Sequence, residues 1–305
     1  ALNGHTVHTI GKGTGGTTLV EALGILQFLE PGADAQNSPA ALHKLTHAFR
    51  QAFADRFTYL GDPDHVDVPI AALLDCQYHQ SRAERFVADT MTSTQAGTRN
   101  ELGVTHDLEA SVADYMRDGS TTHLGVIDAD GNAVSITQTL LSGWGSRVTV
   151  PDTGVLLNNG MMWFDPEPGR PNSVAGRKRP LSNMSPALLV KDGRAVASVG
   201  SSGGRKIMNC NAQLLLNLAT WGMTMEESVN APRIDASTKK LNVSARFARS
   251  TIETLRAGGH DVEVVDETLL AGGFASPVGI GRSPEGDLQA VADAWYFPAT
   301  AKVLI

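Results

Sequence analysis

The 305-residue chain has no run of about 18 apolar residues, so no helix in it is expected to span a membrane. It has no basic patch. Its 25 Lys and Arg stand against 32 Asp and Glu, a formal net charge of −7, and nucleic acid is not an expected partner. It has only two cysteines, Cys76 and Cys210, without metal or redox spacing. They are read as buried thiols, with a long-range disulfide as the alternative. No metal constellation stands out. His43 and His47 lie one helical turn apart, but no glutamate completes an H-E-x-x-H pattern and no third ligand is evident. A solvated helix face is the reading for both. No signal peptide begins at Ala1, and the compartment stays open between periplasmic or secreted and cytoplasmic. What remains is an ordinary soluble composition, 42% hydrophobic and 19% charged, enough for one large domain or two.

Taken in order, Asn3 to Ile10 reads as a short strand. Gly11, Gly13 and Gly16 match G-x-G-x-x-G ahead of a helix carrying Leu19, Leu23 and Leu26. No parallel β-α-β unit continues from it, so the expectation is a glycine turn that lets the helix N-terminus pack closely, not a dinucleotide site. Ala40 to Phe57 is a helix, with Leu42, Leu45, Phe49, Ala52 and Phe53 on one face. Ile70 to Val87 reads as another. Residues 89–120 are small and polar at their start and are expected to be the least ordered part of the chain.

From there the chain turns to strands. Thr122–Ile127 and Ala133–Leu140 flank Asp130-Gly131, a strong hairpin signal. Val148 to Asn159 reads as a further strand and turn. Ala187–Val190 and Ala195–Val199 form a second hairpin around Asp192-Gly193. Gly200–Gly204 leads into a helix with Ile207, Leu214 and Leu218, and another helix follows Thr224. Strand-like runs close the chain at Leu241–Val243, Val262–Val265 and Leu288–Tyr296. Pattern alone supports a mixed fold with antiparallel hairpins and segregated helices.

The stretch Asp118-Gly119-Ser120-Thr121-Thr122-His123 carries the chemistry. A threonine hydroxyl is a poor nucleophile until a base takes its proton. An N-terminal threonine brings its own base, an α-amine with an ordinary pKa of roughly 7.7–8.0. In an intact chain that nitrogen is an amide. Cutting Ser120–Thr121 would therefore create the base and switch on the hydroxyl together.

Thr121-Thr122-His123 with Gly131-Asn132, Thr137 and Thr139-Leu140 resembles the γ-glutamyltransferase (glutathione hydrolase) family of N-terminal-nucleophile hydrolases. Further motifs match in order: Ala54-Asp55-Arg56, Tyr59-Leu60-Gly61-Asp62-Pro63-Asp64, Leu157-Asn158-Asn159, Lys178-Arg179-Pro180-Leu181-Ser182-Asn183-Met184-Ser185-Pro186, Gly200-Ser201-Ser202-Gly203-Gly204 and Asn230-Ala231-Pro232-Arg233. The resemblance implies an α+β fold, a four-layer αββα sandwich of two mainly antiparallel sheets. It implies one precursor cut into two subunits, with residues 1–120 the end of the large subunit and 121–305 the small catalytic one. An N-terminal part of the large subunit would be missing. It implies Thr121 as nucleophile, Thr139 as the hydroxyl that orients it, and Gly203 and Gly204 as oxyanion donors. Ser182 and Asn183 would contact the substrate's carboxylate end. Substrates would be γ-glutamyl or other acyl amides, with water or an amine as acceptor, and no cofactor is implied.

Four positions depart from the family pattern, Asn183 only mildly. Leu141 follows Thr139-Leu140 where relatives carry Asn, and Asn183 replaces the second Ser of a Ser-Ser pair. Gly160 and Trp163 stand where relatives hold the glutamate's polar groups with glutamine and aspartate. A buried ammonium without an acidic partner is costly. Three functions follow: a γ-glutamyl hydrolase or transferase, an acylase with a less polar acyl pocket similar to cephalosporin acylases, or a non-catalytic relic that is never cut.

Overall fold

In a computed structural model of the chain, residues 2–88, 94–102, 120–267, 273–283, 285–296 and 299–303 are described. The first strand, β1 (Thr6–Thr9), precedes helices α1 (Gly15–Leu29) and α2 (Pro39–Tyr59). Short helices α3 (Ile70–Leu73), α4 (Cys76–Ala83) and α5 (Arg99–Leu102) follow. The hairpin β2 (Thr121–Ile127) and β3 (Ala133–Thr139) comes next, then β4 (Ala187–Lys191) and β5 (Arg194–Ser202). Helices α6 (Lys206–Ala219) and α7 (Met225–Asn230) lead to β6 (Ile234–Asp235), β7 (Leu241–Ser244), α8 (Arg249–Ala257), β8 (Val262–Val265), β9 (Ser276–Arg282) and β10 (Leu288–Ala292).

The main sheet has the order β1-β4-β5-β9-β10, antiparallel throughout. One face carries α6 and, behind it, α1 and α2; the β2–β3 hairpin stacks on the other. Inter-sheet hydrogen bonds fix that stacking: Ser198 Oγ donates to the Val134 carbonyl at 3.0 Å, and Ser135 Oγ to the Val199 carbonyl at 3.3 Å. These are three of the layers of the expected sandwich. The hairpin's outer face pairs Leu124 with Ile136 and Val126 with Val134, all exposed. A small mixed sheet, β6-β7-β8, adds a parallel β7–β8 pair. The mixed, mainly antiparallel architecture is the one the motifs implied.

The glycine motif serves packing. Ser182 N–H donates to the Gly13 carbonyl and Gly15 N–H to the Met184 carbonyl, both at 3.0 Å. A Cβ on Gly13, whose φ is +67°, would stand 2.8 Å from the Gly61 carbonyl oxygen, and one on Gly15 or Gly16 would overlap a backbone carbonyl outright. The turn is thus wedged between the end of α2 and the loop before β4.

Several expectations change. His43 and His47 are buried, not solvated. His43 Nδ1 lies 2.6 Å from His260 Nε2, His43 Nε2 is 3.0 Å from the Val87 carbonyl, and His47 Nε2 is 3.0 Å from the Arg82 carbonyl. The cause is that α2 is packed by α1, α4 and α8, so this face meets protein. Among the described residues no group of three His, Cys, Asp or Glu could hold a metal ion. Cys210 is buried and Cys76 exposed, and both are free thiols. The helix expected over Ile70–Val87 is two helices, because Asp75 breaks the first and caps the second by accepting from Gln77 and Tyr78 N–H. Val148–Asn159 forms a turn with a single Thr149–Leu156 bridge, not a strand. The pattern missed α8 and β9, the latter an interior strand of the main sheet. Much of 89–120 lies outside the described residues. The described part is tied down: Gly97 N–H donates to Asp55 Oδ1 at 2.6 Å, and Glu101 pairs with Arg82 and Arg85.

Two predictions follow from this packing. Gly16→Ala lowers stability by about 1–3 kcal/mol through overpacking, whereas Gly11→Ala, with open space around it, changes it by about 0.5 kcal/mol or less; denaturant unfolding distinguishes them. Burial, with His43 and Arg50 nearby, pushes His260 down to about 4. The unfolded imidazole titrates near about 6.5, so below that pH the unfolded state holds the extra proton. Stability is present above about 6.5 and is lost as pH falls toward about 4. Thermal midpoints measured across that window fall less steeply in His260→Gln than in the wild type.

Candidate active site

Thr121 and Thr139 face each other across the hairpin as a direct cross-strand pair. The strand period puts both side chains on the face turned toward the main sheet, in register with His123 and Thr137 on the next inward rung. Thr121 Oγ1 donates to Thr139 Oγ1 at 3.1 Å. Thr139 Oγ1 also accepts from the Leu141 N–H at 2.9 Å and donates to the Ser120 carbonyl at 3.0 Å. A hydroxyl has one proton and two acceptor sites. Here all three are used, so the Thr139 proton is fixed on the carbonyl of the Ser120–Thr121 bond. Leu140 N–H reaches the same oxygen at 3.4 Å.

Ser120 is held as firmly. Its N–H donates to the Leu141 carbonyl and its Oγ to the Ser142 carbonyl, each at 2.8 Å. Leu141 makes this possible with a φ of +76°, a left-handed conformation unusual for leucine, while its side chain is buried. Strain of that kind gathers at functional sites.

The stacking of β2 on β5 locates the glycine loop. A Cβ on Gly125 would meet Ser198, and a Cβ on Gly200 would overlap the His123 ring. Each step of two residues along β2 toward Thr121 is thus matched by a step of two along β5 toward Ser202. The same progression leads from Thr121 toward the end of β5 at Ser202, which Gly203 and Gly204 follow in the chain. Gly203 has φ +143° and a Cβ there would sit 2.7 Å from Ala275 Cα; Gly204 has φ +63°. Only glycine meets both demands easily, and α6 begins two residues later. His123 is buried and pushed down to about 4 by desolvation, so it is neutral at ordinary pH.

Ser182 and Asn183 lie on the loop before β4, which Asn211 of α6 ties to the same end of the sheet. Asn211 Nδ2 donates to the Ser185 carbonyl at 2.8 Å, and its Oδ1 accepts from Ser201 Oγ at 2.8 Å. Arg179 pairs with Asp62 at 2.6 Å at the start of the loop. Arg56 holds its middle, donating through Nη2 to the Ser182 carbonyl and Asn183 Oδ1, both at 2.9 Å. Asn183 is therefore mostly buried, with its oxygen committed inward. Gly160 and Trp163 lie on the 3-10 turn Gly160–Trp163, which joins the site where Asn159 N–H meets the Leu140 carbonyl at 3.1 Å. The Trp163 indole nitrogen is buried without a hydrogen bond among the described residues, and Met161 and Met162 are exposed. The supports that sequence reasoning missed are Arg56, Asp62, Arg179 and Asn211. Asp62 and Arg179 sit inside quoted motifs, yet nothing in the spacing pairs residues 117 positions apart.

A family model described as Gamma-glutamyltranspeptidase matches residues 1–300. The glutathione hydrolase proenzyme of Escherichia coli K12 is 34% identical over 292 residues, covering 92% of this chain and 47% of its own length. The acylase ACY 1 proenzyme of Pseudomonas sp. strain V22 is 35% identical over 277 residues, covering 91% and 46%. The chain thus spans about half the length of the curated relatives it matches. The crystal structure of cephalosporin acylase from Bacillus halodurans has the same fold, with a TM-score of 0.81 at 24% identity over 97% of this chain and 51% of that one.

The hydroxyl network predicts a mutational result. Thr139→Val, which removes the donor on the Ser120 carbonyl, slows scission at Ser120–Thr121 by about 10²-fold or more. Thr139→Ser retains most of the rate. Following the uncut band over time on gels reads both.

Proposed function

The chain belongs to the gamma-glutamyltranspeptidase family, and on that premise we propose that it is an N-terminal-threonine amidohydrolase and acyltransferase acting on γ-glutamyl amides. The observation that carries this reading is the Thr121–Thr139–Ser120 hydroxyl chain, which aims a fixed proton at one backbone carbonyl. A structural hairpin has no need of that arrangement, and a relic that is never cut has none either.

In the uncut chain Thr121 Oγ attacks the Ser120 carbonyl carbon. Thr139 Oγ–H and Leu140 N–H stabilise the oxyanion. The C–N bond breaks, the nitrogen takes the hydroxyl proton, and an ester links Ser120 to Thr121 Oγ. Water hydrolyses that ester, leaving a Ser120 carboxylate and a free Thr121 α-amine. Residues 1–120 then fall in the large subunit and residues 121–305 in the small one.

In turnover the α-amine accepts the proton from Thr121 Oγ as it attacks a substrate amide. Gly203 and Gly204 offer backbone N–H groups to the tetrahedral oxyanion, with the N-terminal end of α6 behind them. The amine product leaves with the proton, and water or an acceptor amine releases the acyl group. Ser182 and Asn183 hold the carboxylate end, while Gly160 and Trp163 border the acyl group.

A second reading, an acylase for glutaryl or similar acyl amides, is favoured by Trp163. An indole N–H donor stands where a γ-glutamyl ammonium would need an acceptor, and Met161 and Met162 add apolar surface. The two readings share all the chemistry at Thr121 and differ only in the acyl group.

Thr121→Ala yields one uncut chain that hydrolyses neither γ-glutamyl nor glutaryl p-nitroanilide; survival of either cutting or turnover removes Thr121 from its role. The wild type hydrolyses both anilides at comparable kcat/KM, and a strong γ-glutamyl preference would overturn the second reading. Trp163→Asp shifts the ratio toward γ-glutamyl by about tenfold, the worth of one charged hydrogen bond.

A further inference from the structure

The strap Leu140–Ser142 lies just beyond the end of β3, yet it carries much of what holds the Ser120–Thr121 bond. Leu140 N–H reaches the Ser120 carbonyl at 3.4 Å, and Leu141 N–H holds Thr139 Oγ1 at 2.9 Å. The Leu141 and Ser142 carbonyls take the Ser120 N–H and Oγ, each at 2.8 Å. The β2–β3 register ends at the Thr121–Thr139 pair, so the regular ladder does not fix this strap. Leu141 also sits at φ +76°, a conformation that persists only where its surroundings over-determine it.

Asn159 grips the strap from the other side. Its Oδ1 accepts from the Ser142 N–H at 3.1 Å, and its Nδ2 donates to Ser142 Oγ at 2.7 Å. A backbone N–H can only donate, so the amide has one orientation. Nδ2 also lies 3.2 Å from Met162 Sδ, on the Gly160–Trp163 turn. Backbone bonds flank this clip: Asn159 N–H to the Leu140 carbonyl at 3.1 Å, and Ser146 N–H to the Leu157 carbonyl at 2.9 Å. Those bonds close the loop without any help from the side chain. The amide adds a two-point hold on one residue, the one whose carbonyl receives Ser120 Oγ.

We propose that Asn159 is a positioning residue for scission. By gripping Ser142 at two points, it holds the strap where the Leu140 amide and, through the Leu141 amide, the Thr139 proton are aimed at the Ser120 carbonyl. This rests on the proposed cleavage at Ser120–Thr121. Asn159 touches no reacting atom, and its effect is carried by Ser142. A misplacement of about 1 Å at a reacting centre can cost about 10²-fold in rate, so a strap loosened at Ser142 is felt at the bond while the loop stays closed.

The test follows the uncut band of the full-length precursor over time. Asn159→Ala slows scission by about 10- to 100-fold. Asn159→Asp retains most of the wild-type rate, because a carboxylate accepts from the Ser142 N–H with one oxygen and from the Ser142 O–H with the other. The same two substitutions are also made in a Thr121→Ala chain, which stays whole. There they leave the urea midpoint close to that of Thr121→Ala alone, which separates positioning from loss of fold. Wild-type speed in Asn159→Ala, an Asn159→Asp as slow as Asn159→Ala, or a midpoint that falls along with the rate overturns this inference and leaves the cleavage itself standing. A wild type that stays whole removes the proposed function and this inference with it.

Discussion

One hydroxyl ties the candidate site together. Thr139 Oγ1 receives Thr121 and the Leu141 amide and gives its proton to the Ser120 carbonyl. With every position occupied, the group has no rotational choice. The left-handed turn at Leu141, the inward rung of the hairpin and the tethering of Ser120 all serve this arrangement. In the proposed cleavage, breaking the Ser120–Thr121 bond releases that acceptor, and the Thr139 proton becomes available to the Thr121 oxygen. The same group can thus orient the nucleophile before and after scission.

The surrounding fold holds two loops against the end of the β2–β5 stack. The glycine loop is held by conformations that only glycine adopts comfortably and by its continuation into α6. The Ser182–Asn183 loop has no regular structure of its own. It is fastened by Arg179 to Asp62, by Arg56 from behind, by Asn211 from α6, and by the Gly13–Gly15 turn. Hydrogen bonds to ionised groups are the stronger kind, and Arg56 and the Arg179–Asp62 pair supply them here. The apolar outer face of the hairpin is the complement: that side is open among the described residues.

The β2–β3 hairpin, the β4–β5 hairpin and α1, α2 and α6 were legible because alternation, helical spacing and turn residues agree within each segment. Thr121 and Thr139, the proposed nucleophile and its orienting partner, were singled out through motifs, and their hydroxyls are hydrogen-bonded to each other. Interior strand β9 was not legible. Ser276–Arg282 is rich in glycine and carries a proline, which depresses any strand signal, and those glycines are needed because Met225 packs directly on Gly279 and Gly281. The buried state of His43 and His47 was likewise hidden. Their face of α2 is covered by His260 and by the segment after α4, contacts remote in sequence. The role of Arg56 depends on a partner 127 positions away.

The most direct test of the account is the intact mass and N-terminal sequence of the purified full-length protein. The account predicts two polypeptides, one of them beginning Thr121-Thr122-His123. A single chain that remains uncut after prolonged incubation would contradict it, since the hydroxyl network around the Ser120 carbonyl would then have no reaction to serve.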